Sequence, residues 1–451
     1  MEKIQTLKIE KFSNSGEGIA RVDGYVVFVE NALPNDVVKV EIIKENKNFA
    51  KAKILEIVEP AKGRIKPFCP LYNACGACSL QHADYELQLK LKKEIVQDAM
   101  KNIAGLDIEV DDVVPSPEIK EFRCKIQYPT AQTKVSKRVL AGYYKPKTHE
   151  IVNIKHCPIQ PAICDEIIEF IRDKAQELDL SCYNEKTQIG LLRHIVIRYS
   201  AYNDDILLTF VINAEKTSIV LSQLAQDVFD KYPEIKGVCA NFNTSKSNII
   251  LGRESELICG ESEIEEKILD KTIKIGANTF FQVNPKSAEN IFKYVKEEIE
   301  KNNKEPKVLD AYAGIASFGI VVCDVAKSVL SVEENPNSTA LAQEVIKLNN
   351  IQNVEVKTAD TGKFLETCKE KFDVIILDPP RKGCDKRTLD ESLRLCDGTI
   401  IYVSCNPATL ARDLKYLKEN GCVIKSVKPF DMFCHTLHVE NVAIIETNKN
   451  N

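Results

Sequence analysis

The sequence predicts a multidomain α/β protein. An N-terminal OB-like β-barrel is followed by a central α+β domain and a Rossmann-like C-terminal domain. Three observations carry this. Short apolar stretches punctuated by glycine fill the first 60 residues. Three cysteines fall within ten residues, at Cys69, Cys75 and Cys78, ahead of a mixed pattern. From about residue 271 strand and helix patterns alternate regularly, as in a doubly wound sheet. The expected units are 1–60, 61–270 and 271–451.

In the first unit the apolar stretches are 26–29, 37–43 and 52–57, with Gly16, Gly18 and Gly24 between early strands and a turn at Pro34-Asn35-Asp36. Short strands at this spacing suit a five-stranded barrel. In the second, 84–101 reads as a helix with Leu87, Leu91, Ile95 and Ala99 on one stripe. Strands are expected at 126–130, 195–199 and 206–212, and a helix at 218–232. In the third, strands are expected at 307–311, 328–333, 354–357, 372–377, 399–403 and 442–445, before a polar tail at 448–451.

Composition narrows the function class. The 451 residues include 61 Lys and Arg against 66 Asp and Glu, a net charge of −5, which excludes a uniformly basic nucleic-acid binder but not a local basic groove. No run of about 18 apolar residues exists, so no membrane span is expected. The first residues lack the basic-then-apolar order of a secretory signal, and sixteen cysteines fit a reducing compartment, so a cytoplasmic, monomeric protein is expected.

Cys75-Gly76-Ala77-Cys78, with Cys69 upstream, gives three thiols that need a fourth to complete a zinc site or an iron–sulfur cluster. Cys157, followed by Pro158, is the first choice, with Cys124 and Cys164 behind it. A single CxxC pair favours [4Fe–4S] over a zinc ribbon.

The segment from Asp310 to Gly319 reads as strand, tight turn and helix start. Gly314-x-Ala316-x-x-Gly319 alone would admit a dinucleotide, and with it an iron–sulfur oxidoreductase. Asp378-Pro379-Pro380 after the fourth strand favours S-adenosylmethionine, because it builds a rigid, dry wall suited to a planar ring. Glu333 suits ribose hydroxyls and Asp360 an adenine amine. Cys405 follows the 399–403 strand, where ligands bind an open sheet. His438 and Glu440 would share one face if extended. A thiolate, a methyl donor and a carboxylate base fit methylation at C5 of uracil, with Cys405 as nucleophile, Glu440 as base, and Gln282 and Asp378 holding ring and donor. Six Lys or Arg and one acid between 131 and 160, around Tyr143 and Tyr144, suit a splayed RNA loop. The target base would have to be flipped out of its stack to reach the thiol.

These residues resemble the RumA/TrmA class of S-adenosylmethionine-dependent RNA uracil-5 methyltransferases over nearly the whole chain. The matching motifs are Cys69…Cys75-Gly76-Ala77-Cys78 with Gln81-His82, Leu192-Arg193-His194, Phe280-Phe281-Gln282-Val283-Asn284, Asp378-Pro379-Pro380-Arg381-Lys382-Gly383, Ser404-Cys405-Asn406-Pro407 and His438-Val439-Glu440. The resemblance implies a TRAM barrel, a [4Fe–4S] cluster on Cys69, Cys75, Cys78 and Cys157, and donor contacts from Gln282, Tyr312, Ser317, Glu333, Asp360 and Asp378. It also implies Cys405 as nucleophile and Glu440 as base. The joint presence of barrel and cluster segments resembles the 23S ribosomal RNA branch, with tRNA as the alternative substrate. Where the class usually has a central glycine in the donor loop, this chain has Ala316.

Overall fold

The computed structural model describes residues 3–302 and 305–447; the polar tail at 448–451 lies outside them. At the N-terminus, strands run in the order Ile4–Lys8, Val37–Glu45, Phe49–Glu59, Tyr25–Glu30, Glu17–Val22, Lys11–Phe12. The first and last of these are separated only by Ile9 and Glu10. One bent strand therefore pairs with both edges of the sheet and closes it into the expected five-stranded barrel. Alternate residues such as Val27, Val29, Val38 and Val40 fill its interior. The Pro34-Asn35-Asp36 turn does more than reverse the chain. Buried Asp36 accepts from Leu33 N (2.7 Å) and Ala61 N (2.8 Å) and pairs with Arg64 (2.5 Å), fastening the barrel to the following segment.

The helix Tyr85–Asn102 starts where Asp84 accepts from Leu87 N at 2.8 Å. It has two apolar faces. Leu91 and Ile95 pack with Phe12 and Leu33 of the barrel and Leu80 of the cysteine loop. Val96, Ala99 and Met100, continued by Ala104, Leu106 and Val110, enter the core of the C-terminal sheet. A segment that the sequence groups with the central unit thus joins the outer two.

The central sheet orders Glu254–Gly260, Ile235–Phe242, Ile206–Ile212, Leu192–Tyr199, Lys125–Gln132 and Val139–Ala141. Helices Ala162–Glu177 and Ile219–Lys231 contribute to the core on one side. From the other side Leu207 and Cys239 join the C-terminal core together with the ribbon Glu263–Ile268/Lys271–Gly276.

The C-terminal sheet has seven strands in the order Val354–Thr358, Ser328–Glu333, Lys307–Ala311, Phe372–Leu377, Cys396–Ser404, Glu440–Glu446, Val423–Phe430. The first five are parallel and the Glu440–Glu446 strand is inserted antiparallel. That insertion departs from the six-stranded order of a dinucleotide fold. The reversal of strand order between Lys307–Ala311 and Phe372–Leu377 opens the crevice at their carboxyl ends, where ligands bind such sheets. No helix among the described residues is long and apolar enough to cross a membrane.

Candidate active site

Beyond the strand Lys307–Ala311 the chain turns through three left-handed residues, Tyr312 (φ +62°), Gly314 (+57°) and Ala316 (+59°). Two of them carry a Cβ, a strained conformation that is concentrated at functional sites. The turn is held from beneath. Buried Asp310 accepts from Gly319 N and Ser331 Oγ, both at 3.0 Å, and burial pushes its carboxyl up to about 7. Gly319 is required here, since a Cβ would lie 2.3 Å from Ser331 Oγ. Glu333 accepts from Gly314 N (2.9 Å) and Asn335 N (2.8 Å), and Asp360 caps Thr361–Thr367 through Lys363 N (2.9 Å). Tyr312, Glu333 and Asp360 line one cavity of about 590 Å³. Ser317, the first residue of Ser317–Val322, and Gln282, in the link before Pro285–Asn302, are half-buried and do not line it.

One wall of this cavity is the loop that follows Asp378-Pro379-Pro380. Its anchor is Asp413, 1% exposed, on the helix Pro407–Glu419. One carboxylate oxygen accepts from Tyr402 OH (2.6 Å) and Cys384 N (3.0 Å), the other from Arg412 Nε (2.8 Å). Arg412 in turn donates to the carbonyls of Lys382 and Cys384. Sequence reasoning missed Tyr402, Arg412 and Asp413. The available signal was an acid on the apolar stripe Leu410, Leu414, Leu417.

Cys405 follows the strand Cys396–Ser404, and Asn406 caps the next helix by accepting from Ala408 N at 3.1 Å. The thiol lines a second cavity of about 270 Å³ to which the barrel, the cysteine loop, the long helix and the C-terminal domain contribute, but not the central sheet. Asn14 comes from the barrel, Ser79 from the cysteine loop, Ile95 from the long helix, and Arg381, Leu437 and His438 from the C-terminal domain. Ser404 pairs in register with Asn441, whose side chain donates to the Ser404 carbonyl at 3.1 Å, so buried Glu440 lies beside Cys405. Burial raises three acids together. The Cys405 thiol is pushed up to about 11, reinforced by the charges of Glu440 and Asp378. Glu440 rises to about 8, reinforced by Asp378, and Asp378 rises to about 7, reinforced by Asp310. Groups so perturbed at the carboxyl edge of a sheet make this cleft a candidate reactive centre. The expected common face of His438 and Glu440 does not form. Residues 431–439 are a loop, not a strand; His438 is exposed in the cleft while Glu440 is buried.

Comparison with known proteins fits this geometry. The family profile described as TRAM domain matches residues 2–55, and that described as tRNA (Uracil-5-)-methyltransferase matches residues 243–448. An RNA methyltransferase of Oceanobacillus iheyensis is 35% identical over 446 residues, 98% of this chain and 96% of that protein. The chain belongs to the RNA uracil-5 methyltransferase family. An RNA methyltransferase of Synechocystis is 34% identical over 98% of this chain and 95% of that protein. The crystal structure of Pyrococcus abyssi tRNA (uracil-54, C5)-methyltransferase with S-adenosyl-L-homocysteine matches with a TM-score of 0.78 at 29% identity, covering 98% of this chain and 100% of that one. The N-terminal barrel of this methyltransferase is therefore its TRAM domain.

The methyltransferase brings Cys69, Cys75, Cys78 and Cys157 around one cavity, with Tyr72, Gln81 and His156 beside them. The two other cysteines considered as ligands, Cys124 and Cys164, do not line it. Burial pushes the thiols of Cys78 and Cys157 up to about 11 and about 12. Among the described residues no three His, Cys, Asp or Glu side chains gather around one metal position.

The basic stretch at 131–160 is less available to RNA than its composition suggests. Lys145, Lys147 and Lys155 face Glu150, Glu30 and Glu169. The Tyr143 ring packs edge-on against Tyr128 at 4.8 Å under Arg123, and Tyr144 donates to Glu185. Neither ring is a free stacking platform, because both were recruited by the protein's own packing.

Proposed function

We propose that the protein transfers a methyl group from S-adenosylmethionine to C5 of a uridine in 23S ribosomal RNA. The observation that carries this is the placement of Cys405 in an open cleft with Glu440 beside it and Asp378 coupled to both. The Cys405 thiolate adds to C6 of the flipped uracil, and the C5=C6 electron pair moves into an enolate through C4. C5 then takes the methyl from the donor sulfonium, whose S–CH₃ bond breaks to leave a thioether. Glu440 removes the C5 proton, C5=C6 re-forms, and the thiolate leaves. Tyr312, Glu333 and Asp360 hold the donor from the walls of the cavity they line, Asp378 and Gln282 hold ring and donor, and Ser317, which like Gln282 lies outside that lining, completes the donor contacts. The test is Cys405→Ala with RNA containing 5-fluorouridine. Wild-type protein should form a denaturant-stable adduct and the variant none; an adduct on the variant would remove Cys405 as nucleophile.

The four-cysteine cavity supports a [4Fe–4S] cluster. What supports this reading is that Cys69, Cys75, Cys78 and Cys157 line one cavity, where they would be the four thiolate ligands. When bound it would supply a covalent clamp between the 69–78 loop and Cys157. Protein purified without oxygen should be brown and hold about four irons per chain; a colourless, zinc-loaded protein would overturn this.

The 23S reading rests on the barrel and the four-cysteine cavity occurring together. The Pyrococcus abyssi tRNA enzyme, similar along the whole chain, favours tRNA as the second reading. Mapping 5-methyluridine in both RNAs from a strain lacking the gene separates them.

A further inference from the structure

In the loop 431–439, which brings Leu437 and His438 to the cleft and leads into Glu440, Lys92 holds the first residues and one further residue bonds to three distant segments. His435 is 2% exposed and left-handed, φ +63°, a strained backbone for a residue with a Cβ. Its carbonyl accepts from Ser79 N (2.8 Å) and Leu80 N (2.9 Å), the two residues after Cys78. Its amide donates to Gln88 Oε1 of the long helix at 3.0 Å, and Gln88 Nε2 lies 3.2 Å from ring Nδ1. Ring Nε2 donates to the Ile119 carbonyl at 2.6 Å, which leaves Nδ1 as the acceptor for Gln88. Phe68, directly before Cys69, sets its ring edge-on to the imidazole at 5.0 Å. Every polar group of the residue is used, and none of the partners belongs to the C-terminal sheet.

We propose that His435 is a positioning residue that registers the catalytic loop against the cysteine loop and the long helix, so that the Cys405 cleft takes its working shape only when the 69–80 segment is seated. This rests on the reading of Cys405 as nucleophile and Glu440 as base. The donor cavity shares no lining residue with this hub. Loss of the imidazole therefore moves the groups that act on the pyrimidine and leaves donor binding as it was. A displacement of about 1 Å at reacting groups can cost about 10²-fold in rate.

The test uses the full chain with His435→Asn, which keeps a residue tolerant of the left-handed backbone but removes the ring, and with Gln88→Ala. Steady-state methylation, donor affinity by calorimetry and far-ultraviolet circular dichroism are measured on each. The expected result is a kcat lower by about 10- to 10²-fold, with RNA KM and donor Kd within about threefold of wild type. The double variant should fall by less than the product of the two single losses, since both remove the Gln88 Nε2–Nδ1 contact while each also removes a bond that the other keeps. Wild-type kcat in either variant overturns the proposal. So does a loss in which donor affinity and the dichroism spectrum fall together with kcat, which marks a residue that only holds the fold. If His435→Asn is insoluble, Gln88→Ala decides alone on the same criteria. Full activity of Cys405→Ala would instead overturn the underlying reading of the site.

Discussion

Replacing Glu440 by glutamine should make the free protein more stable in alkali. The carboxyl is buried and its folded value rises from 4.5 to about 8, through burial first and Asp378 second. Between those values the folded protein keeps a proton that the unfolded chain releases. Stability therefore falls as pH climbs through that window and is unaffected below it. At about 1.4 kcal/mol per tenfold change in proton affinity, the full span is worth roughly 5 kcal/mol. Part of this is lost because the proton can sit on Asp378, itself raised to about 7, so a few kcal/mol is the expectation. Glutamine carries no such penalty. For a unit of this size, with about 2–4 °C per kcal/mol, the Glu440→Gln melting temperature should exceed wild type by roughly 5 °C or more at pH 9 and by little at pH 5. Scanning calorimetry across that range measures it. In parallel, kcat should fall by about 10²–10⁴-fold while the RNA adduct accumulates. An equal melting difference at both pH values, or a less stable variant at pH 9, would refute the argument that this carboxyl is held protonated by its surroundings.

Other outcomes follow from particular contacts. Lys92 and Asp431 form a fully buried pair at 2.6 Å, so Lys92→Met should cost roughly 3–5 kcal/mol in urea unfolding. The double variant Lys92→Met/Asp431→Leu should recover most of it, and a double variant as unstable as the single would count against an uncompensated charge as the cause. Ala316 is left-handed at the donor turn, and Ala316→Gly should stabilise by roughly 0.5–1 kcal/mol, the Cβ strain less the extra chain entropy of glycine. Unchanged or reduced stability would show that the turn is not strained. Burial and neighbouring carboxylates push the Cys405 thiol up to about 11, so its iodoacetamide labelling, followed by peptide mass spectrometry, should be slow at neutral pH and rise toward pH 11. A plateau below pH 9 would contradict the assigned environment.

What the sequence made legible was local. Asp84 ahead of an apolar stripe marks the helix Tyr85–Asn102, and uninterrupted apolar runs mark Ile206–Ile212 and Phe372–Leu377. Glu333, Asp360, Asp378 and Cys405 were legible because each stands at or just beyond the carboxyl end of a strand, whereas Glu440 begins its own antiparallel strand and Gln282 follows none. The strand Val423–Phe430 escaped because its alternation is broken by a register shift at Ile424/Ser426 and by Pro429, which an edge strand tolerates. The second face of the long helix was hidden because Val96, Ala99 and Met100 find their partners some 210 residues or more along the chain, in and beyond Lys307–Ala311. The same limit explains His438. Nothing near it in sequence shows that Lys92 pins Asp431 and the Phe433 carbonyl and so keeps 431–439 from extending.

The antiparallel insertion of Glu440–Glu446 has a bearing on biosynthesis. That strand occupies an interior slot, between Cys396–Ser404 and Val423–Phe430, rather than an edge. During translation the two flanking segments leave the ribosome before the piece that must lie between them. The nascent polypeptide therefore carries Cys405 for 35 residues before Glu440 is made, and the two come side by side only when the late strand slides home. On the proposed mechanism, a ribosome stalled before that point would release a product unable to alkylate the RNA around it.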